Sequence, residues 1–173
     1  MLQKNNRDKV LQEFFDFPTK RFHVRELCRK TKLSTTAVTK IIDELVKDKL
    51  VLREKTKVLH ELKANLKDKM FKRAKQVNNL KEVYDSGLVD YLALKYRHPE
   101  AIVLFGSYSR GEDWEDSDID IFVISEKRRF LDLSKFESNL KKEIHLIDLK
   151  TWKISEKTQH NIINGILVYG KLC

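Results

Sequence analysis

Gly106-Ser107, ten residues, then Asp118-Ile119-Asp120 constrains this chain more than any other feature of it. In full the segment reads Leu104-Phe-Gly-Ser-Tyr-Ser-Arg-Gly-Glu-Asp-Trp-Glu-Asp-Ser-Asp-Ile-Asp-Ile-Phe-Val-Ile-Ser125. An apolar run from Ala101 to Phe105 stops at a Gly-Ser turn. A second, Ile119 to Ile124, starts with two carboxylates spaced i, i+2. On a strand those two side chains share a face. The segment predicts a strand, a tight turn, an acidic loop and a second strand, with two carboxylates facing the turn.

That arrangement suits holding Mg²⁺ beside a nucleoside triphosphate. Mg²⁺ takes hard oxygen ligands, commonly one or two carboxylates with phosphate and water completing the shell. A glycine lets backbone N–H groups approach a phosphate closely. Ser107 adds a hydroxyl at the start of a short helix, where anions are favoured. Two neighbouring carboxylates repel unless a cation lies between them. Glu112, Asp113, Glu115, Asp116, Asp118 and Asp120 place six acids in nine residues. A bland alternative exists: an acidic surface loop leading into a strand that begins Asp-Ile-Asp.

Charge is divided unevenly along the chain. Of the net +9, residues 1–65 carry +7, residues 66–99 carry +4 and residues 100–173 carry −2. A basic front and a slightly acidic back suggest two modules with different partners. Lysines that merely solvate helix faces would give the same count. The two cysteines, Cys28 and Cys173, are far apart, so a disulfide framework is not expected and a reducing cytoplasm fits. The N-terminus shows no secretory pattern, and no apolar run approaches the ~20 residues needed to span a membrane.

In the front part, Val10, Leu11, Phe14 and Phe15 fall at helical spacing, predicting a helix over 6–15. Val24, Leu27 and Cys28 predict a second over 23–31, and Val38, Ile41, Ile42, Leu45 and Val46 a third over 35–48. Leu33-Ser-Thr-Thr36 supplies the turn and cap between them. Leu50 to Glu54 and Val58 to Leu62 read as two short strands around Lys55-Thr56-Lys57. Residues 65–83 are Lys-rich with a partial apolar stripe, predicting a linking helix. A further helix is expected over 88–96.

In the back part, Phe130 to Lys142 reads as a helix and Ile144 to Leu149 as a third strand. A helix from Ser155 to about Asn164 and a last apolar segment, Gly165 to Gly170, close the chain. The expected class is α+β: a front module over 1–64, a linking helix over 65–84, and a small α/β unit with a mixed sheet over 85–173.

The Gly-Ser-Tyr-x-Arg-Gly…Asp-Ser-Asp-Ile-Asp wording resembles the DNA polymerase beta-like nucleotidyltransferases, in particular the minimal nucleotidyltransferases, over roughly residues 86–173. The resemblance implies transfer of a nucleotide from an NTP, expected to be ATP, to an acceptor hydroxyl. It implies Mg²⁺ or Mn²⁺ held by Asp118 and Asp120, and phosphates held by Gly106 and Ser107. Arg110 either contacts phosphate or forms an outward salt bridge to the acidic stretch. The acceptor implied is a protein, as in partners of HEPN-domain toxins within toxin–antitoxin pairs; a small-molecule hydroxyl stays open. Members of the family usually carry a third carboxylate on the third strand, and His145 occupies that slot here. Histidine can act as a base near neutral pH or ligate a softer metal than Mg²⁺. It can equally mark a site that binds nucleotide without transferring it. Glu143, on the same strand face as His145, is a second candidate for the missing group; Asp148 lies on the opposite face.

Helix, helix, turn, helix and basic hairpin resemble the winged helix-turn-helix superfamily of prokaryotic regulators. That resemblance implies double-stranded DNA as partner, with Thr35, Thr36, Thr39 and Lys40 near base edges or phosphates and Arg53, Lys55 and Lys57 forming the wing. The alternative is a packing or dimerisation module without DNA binding. Such modules often dimerise, though nothing in the sequence demands a homodimer.

Overall fold

The computed structural model describes residues 5–55, 60–126, 129–150 and 156–172. They divide into two compact units, Met1–Lys75 and Gln76–Cys173, with the division falling inside one helix.

The first unit begins with α1 (Asn6–Asp16), α2 (Val24–Thr31) and α3 (Thr35–Lys47), followed by β1 (Val51–Lys55) and β2 (His60–Ala64). The starts of α1 and α3 are set by side-chain caps. Asn5 and Asp8 form a reciprocal capping box at α1, and the Ser34 side chain accepts from the Ala37 N–H at α3. α2 ends at Lys32, which adopts a left-handed conformation. Val10, Leu11, Phe14 and Phe15 of α1 meet Leu27 of α2 and Val38, Ile41, Ile42 and Leu45 of α3 in one core. β1 and β2 pair antiparallel, and Phe22 bridges Leu62, so the hairpin gains a short third edge. The two strands sit one to two residues later than the apolar pattern predicts. Lys57 and the tip of the hairpin lie outside the described residues.

α4 (Lys69–Asp85) begins later than the 65–84 linker expected, because the Asp68 carboxylate accepts the Met70 N–H and sets the start. In the second unit α5 (Leu88–Lys95) leads to β3 (Ala101–Phe105), the single-turn helix α6 (Gly106–Ser109) and β4 (Ile119–Ile124). Then come α7 (Ser134–Leu140), β5 (Ile144–Leu149), α8 (Glu156–Ile163) and β6 (Ile166–Gly170). The cap expected at Ser155 falls outside the described residues.

The sheet order is β5-β4-β3-β6. β3 pairs antiparallel with β4 and β6, and β4 pairs parallel with β5, giving the mixed sheet expected. β3 is buried along its whole length, which is why it reads as an unbroken apolar run rather than an alternating one. On one face Ile102, Leu104, Ile119, Ile121, Val123 and Ile144 pack with Leu88 and Leu92 of α5 and Phe136 and Leu140 of α7. On the other, Ala101, Val103, Phe105, Phe122 and Ile124 pack with Ile162 of α8.

α7 is shorter than the 130–142 expected. The Asp132 carboxylate accepts from both the backbone and hydroxyl of Ser134 and fixes the start, and Lys141 turns left-handed at the end. These two hydrogen bonds hold the Asp132 carboxyl below its usual range.

Candidate active site

Gly106 takes φ +76°, a conformation that side chains with a Cβ rarely adopt. A Cβ at this position would lie 2.0 Å from Asp120 Oδ2. The reason is the register: Phe105 at the end of β3 pairs directly with Asp120 in β4. The glycine of the motif therefore makes room for its second aspartate. Ser109 Oγ bonds back to the Gly106 carbonyl at 2.9 Å and steadies the turn. Ser107 is half-buried, and its carbonyl accepts from the N–H groups of Arg110 and Glu112.

Asp120 alternates with the buried Ile119 and Ile121, so it shares a sheet face with Phe122 and Ile124. Asp118 stands exposed one residue before β4. The parallel register of β4 and β5 pairs Asp120 with His145, whose Nδ1 lies 3.1 Å from Asp120 Oδ1. The imidazole is 59% exposed and the Asp120 side chain 25%. The slot singled out on the third strand is thus the one beside the second aspartate.

The other carboxylates of the third strand do different things. Asp148 accepts from Tyr96 Oη at 2.6 Å and from the Arg129 N–H at 2.7 Å. Burial and the neighbouring Asp148 carboxylate push the Tyr96 hydroxyl above its usual range. Glu143 is exposed, and its carbonyl accepts the Ile119 N–H at 2.9 Å.

The acidic stretch is not one uniform patch. Asp113 is buried, with Oδ1 receiving Asn79 Nδ2 at 2.8 Å and Oδ2 lying 3.4 Å from Lys142 Nζ. Glu112 takes Arg110 Nε at 3.0 Å. Of the two roles open to Arg110, the structure shows the salt bridge. Asn79, Lys142 and the structural role of Asp113 escaped the sequence pattern, because each contact joins residues 25 or more positions apart.

A divalent cation implied by such a site can be tested against the donors. Among the described residues no cluster of three or more His, Cys, Asp or Glu is arranged to hold a metal by protein ligands alone. Asp120 beside a cradle that only a glycine fits, with the exposed Asp118 two residues before it in the chain, suits Mg²⁺, which leaves room for phosphate and water. The adjacent imidazole adds a nitrogen donor, better matched to softer ions. A groove of about 570 Å³ runs along β5 past His145, bordered by Asp132, Ser134 and Glu137.

In the first unit, Thr35, Thr36, Thr39 and Lys40 are all exposed on the N-terminal half of α3. Arg53 does not project freely as a wing cation. Its guanidinium is held by Asp43 of α3 at 2.7 Å. The hairpin charges are further balanced by Arg21 on Glu54 and Glu61 and by Lys63 on Glu54. Lys55 is exposed at the end of β1.

Residues 88–172 match the family model described as polymerase beta, nucleotidyltransferase. A Methanocaldococcus jannaschii protein named as a candidate protein adenylyltransferase is 37% identical over 62 residues, or 36% of this chain. The match spans 62% of that relative's length. No solved structure matches the chain. No helix among the described residues is long and apolar enough to cross a membrane. From β3 to β6, with the Gly-Ser turn set against Asp120, residues 88–172 are a nucleotidyltransferase domain of the polymerase beta type.

Proposed function

We propose that this domain transfers a nucleoside monophosphate from an NTP, with ATP the expected donor, to an acceptor hydroxyl. The observation that carries the reading is Gly106 opened for Asp120, with His145 in register beside it. Asp118 and Asp120 hold the divalent ion, Mg²⁺ or Mn²⁺, which when bound neutralises charge on the phosphates. The Gly106 and Ser107 backbone and the Ser107 hydroxyl receive the β- and γ-phosphates. The acceptor oxygen attacks the α-phosphorus as its O–H proton passes to His145. The bond from the α-phosphorus to the bridging oxygen breaks, and pyrophosphate leaves. A protein acceptor is favoured by the relative's name and by the open groove along β5, which leaves His145 accessible to a large partner.

The front unit is proposed as a winged helix-turn-helix that carries the domain to double-stranded DNA. Its three helices, the hairpin with the Phe22 bridge, and the exposed Thr35, Thr36, Thr39 and Lys40 support this. With Arg53 paired to Asp43, the exposed Lys55 is the described wing cation proposed to meet phosphate.

A second reading is favoured by one specific residue. With histidine where the family usually has a third carboxylate, the domain could sense nucleotide for a DNA-binding regulator without turnover. Incubation with Mg²⁺ and each of the four NTPs separates the two. Pyrophosphate release supports transfer, whereas saturable NTP binding without release supports the sensor.

A further inference from the structure

Lys142 sits in the turn between α7 and β5, directly after the left-handed Lys141. Its ammonium donates to the carbonyls of Trp114 at 2.6 Å, Glu115 at 3.2 Å and Ser117 at 3.3 Å. It also lies 3.4 Å from Asp113 Oδ2, and the side chain is only 11% exposed. Four oxygens around one largely buried cation close the loop as a bound metal ion would. Lysine is seldom buried this far without partners, because losing hydration is costly. Here the partners are the backbone of the loop itself.

The same loop is held from its other side. Asn79 Nδ2 donates to Asp113 Oδ1 and, at 2.9 Å, to the Tyr108 carbonyl, and Gln76 Nε2 donates to the Ser109 carbonyl at 2.8 Å. Asp113 is therefore gripped on both oxygens. The loop ends at Asp118, and His145 lies three residues beyond Lys142. One ammonium thus ties the loop that delivers Asp118 to the strand that delivers His145.

We propose that Lys142 is a positioning residue for the metal–nucleotide site. Its ammonium fixes residues 113–117 against the start of β5, so that Asp118 is set relative to Asp120 and His145 before ligand arrives. An acidic loop would otherwise spread by self-repulsion, and ordering it would weaken binding. This rests on the nucleotidyl-transfer reading of the same site, but only on its metal–nucleotide binding step.

The test is Mn²⁺ binding in the presence of ATP, read by loss of the free Mn²⁺ resonance, on the full chain. Lys142→Met keeps the length and removes the charge. Phe136→Leu, in the core under α7, serves as a destabilised control. Lys142→Met is expected to weaken Mn²⁺ binding by about tenfold or more, the scale seen when groups supporting metal ligands are lost. Phe136→Leu leaves it unchanged even where the melting temperature falls as far. Wild-type affinity in Lys142→Met, or an equal loss in the control, overturns the proposal. Absence of Mn²⁺–ATP binding to the wild type overturns the underlying reading and this proposal with it. If Lys142→Met does not fold, amine acetylation of the wild type decides instead. Mn²⁺–ATP must slow labelling of Lys142 but not of the exposed Lys171, since coupling between sites is reciprocal. Equal labelling of Lys142 with and without Mn²⁺–ATP overturns the proposal.

Discussion

At Gly106 a single missing methyl group decides whether Asp120 can stand where the register puts it. Gly106→Ala forces a left-handed residue with a Cβ onto Asp120 Oδ2, and backbone strain of this kind costs about 1–3 kcal/mol. The expected result is a modest loss in denaturant stability with a disproportionate loss of Mn²⁺–ATP binding. Proportionate losses would mean that the glycine serves the fold alone. His145 makes the complementary case. His145→Ala should lower the transfer rate by about 10²–10⁴ if the imidazole takes the acceptor proton. Unchanged turnover would remove it from the reaction. Tyr96 belongs to packing rather than chemistry. Tyr96→Phe leaves Asp148 with one donor fewer and should cost about 1–3 kcal/mol, measured by urea unfolding. Because the Tyr96 pKa is raised, its contribution to stability is present below the ordinary tyrosine value and is lost as pH climbs beyond it.

Among elements, the hairpin of β1 and β2 shows how local charge is used up by local pairing. Glu54 is hydrogen-bonded first by Lys63 and then by Arg21, which together hold its carboxyl below the ordinary 4.5. A depressed carboxylate stabilises the fold above its unfolded value and loses that contribution as pH falls through the lowered one. The Glu54 titration followed by NMR should therefore fall below 4.5 and move back up in about 1 M salt, because exposed pairs are screened. A salt-independent midpoint would contradict the ion-pair origin. The elements themselves were largely legible in the sequence, because helical and strand periodicities survive burial. The apolar runs at 101–105 and 119–124 and the Gly-Ser turn between them follow from spacing, whereas His145 was singled out by the family resemblance. The α7 start at Ser134 was not legible, since it depends on one Asp132 carboxylate overriding an apolar period that continues back to Phe130. The pairing of Arg53 with Asp43 and the burial of Asp113 were also hidden, because charges look alike in sequence whether they face water or a partner.

For the whole molecule, charge and chemistry separate along the chain. The basic first 65 residues and the acidic last part predict two activities with different responses to salt. Binding to duplex DNA, assigned to the front unit, should fall with log salt at a slope of about −0.9 per phosphate neutralised. It should survive Asp118→Asn with Asp120→Asn intact. Failure to bind duplex DNA even at low salt would reduce the front unit to a packing module and leave the transfer reading untouched. Nucleotidyl transfer stands or falls at the two aspartates, and the fate of the phosphate label tests it directly. With Mg²⁺ and ATP labelled at the α-phosphorus, the wild type should transfer label to an acceptor and release pyrophosphate. ATP labelled at the γ-phosphorus should transfer none, and Asp118→Asn combined with Asp120→Asn should transfer none from either. Label reaching the acceptor from the γ-position, or persisting from the α-position in the double variant, would contradict nucleotidyl transfer at this site.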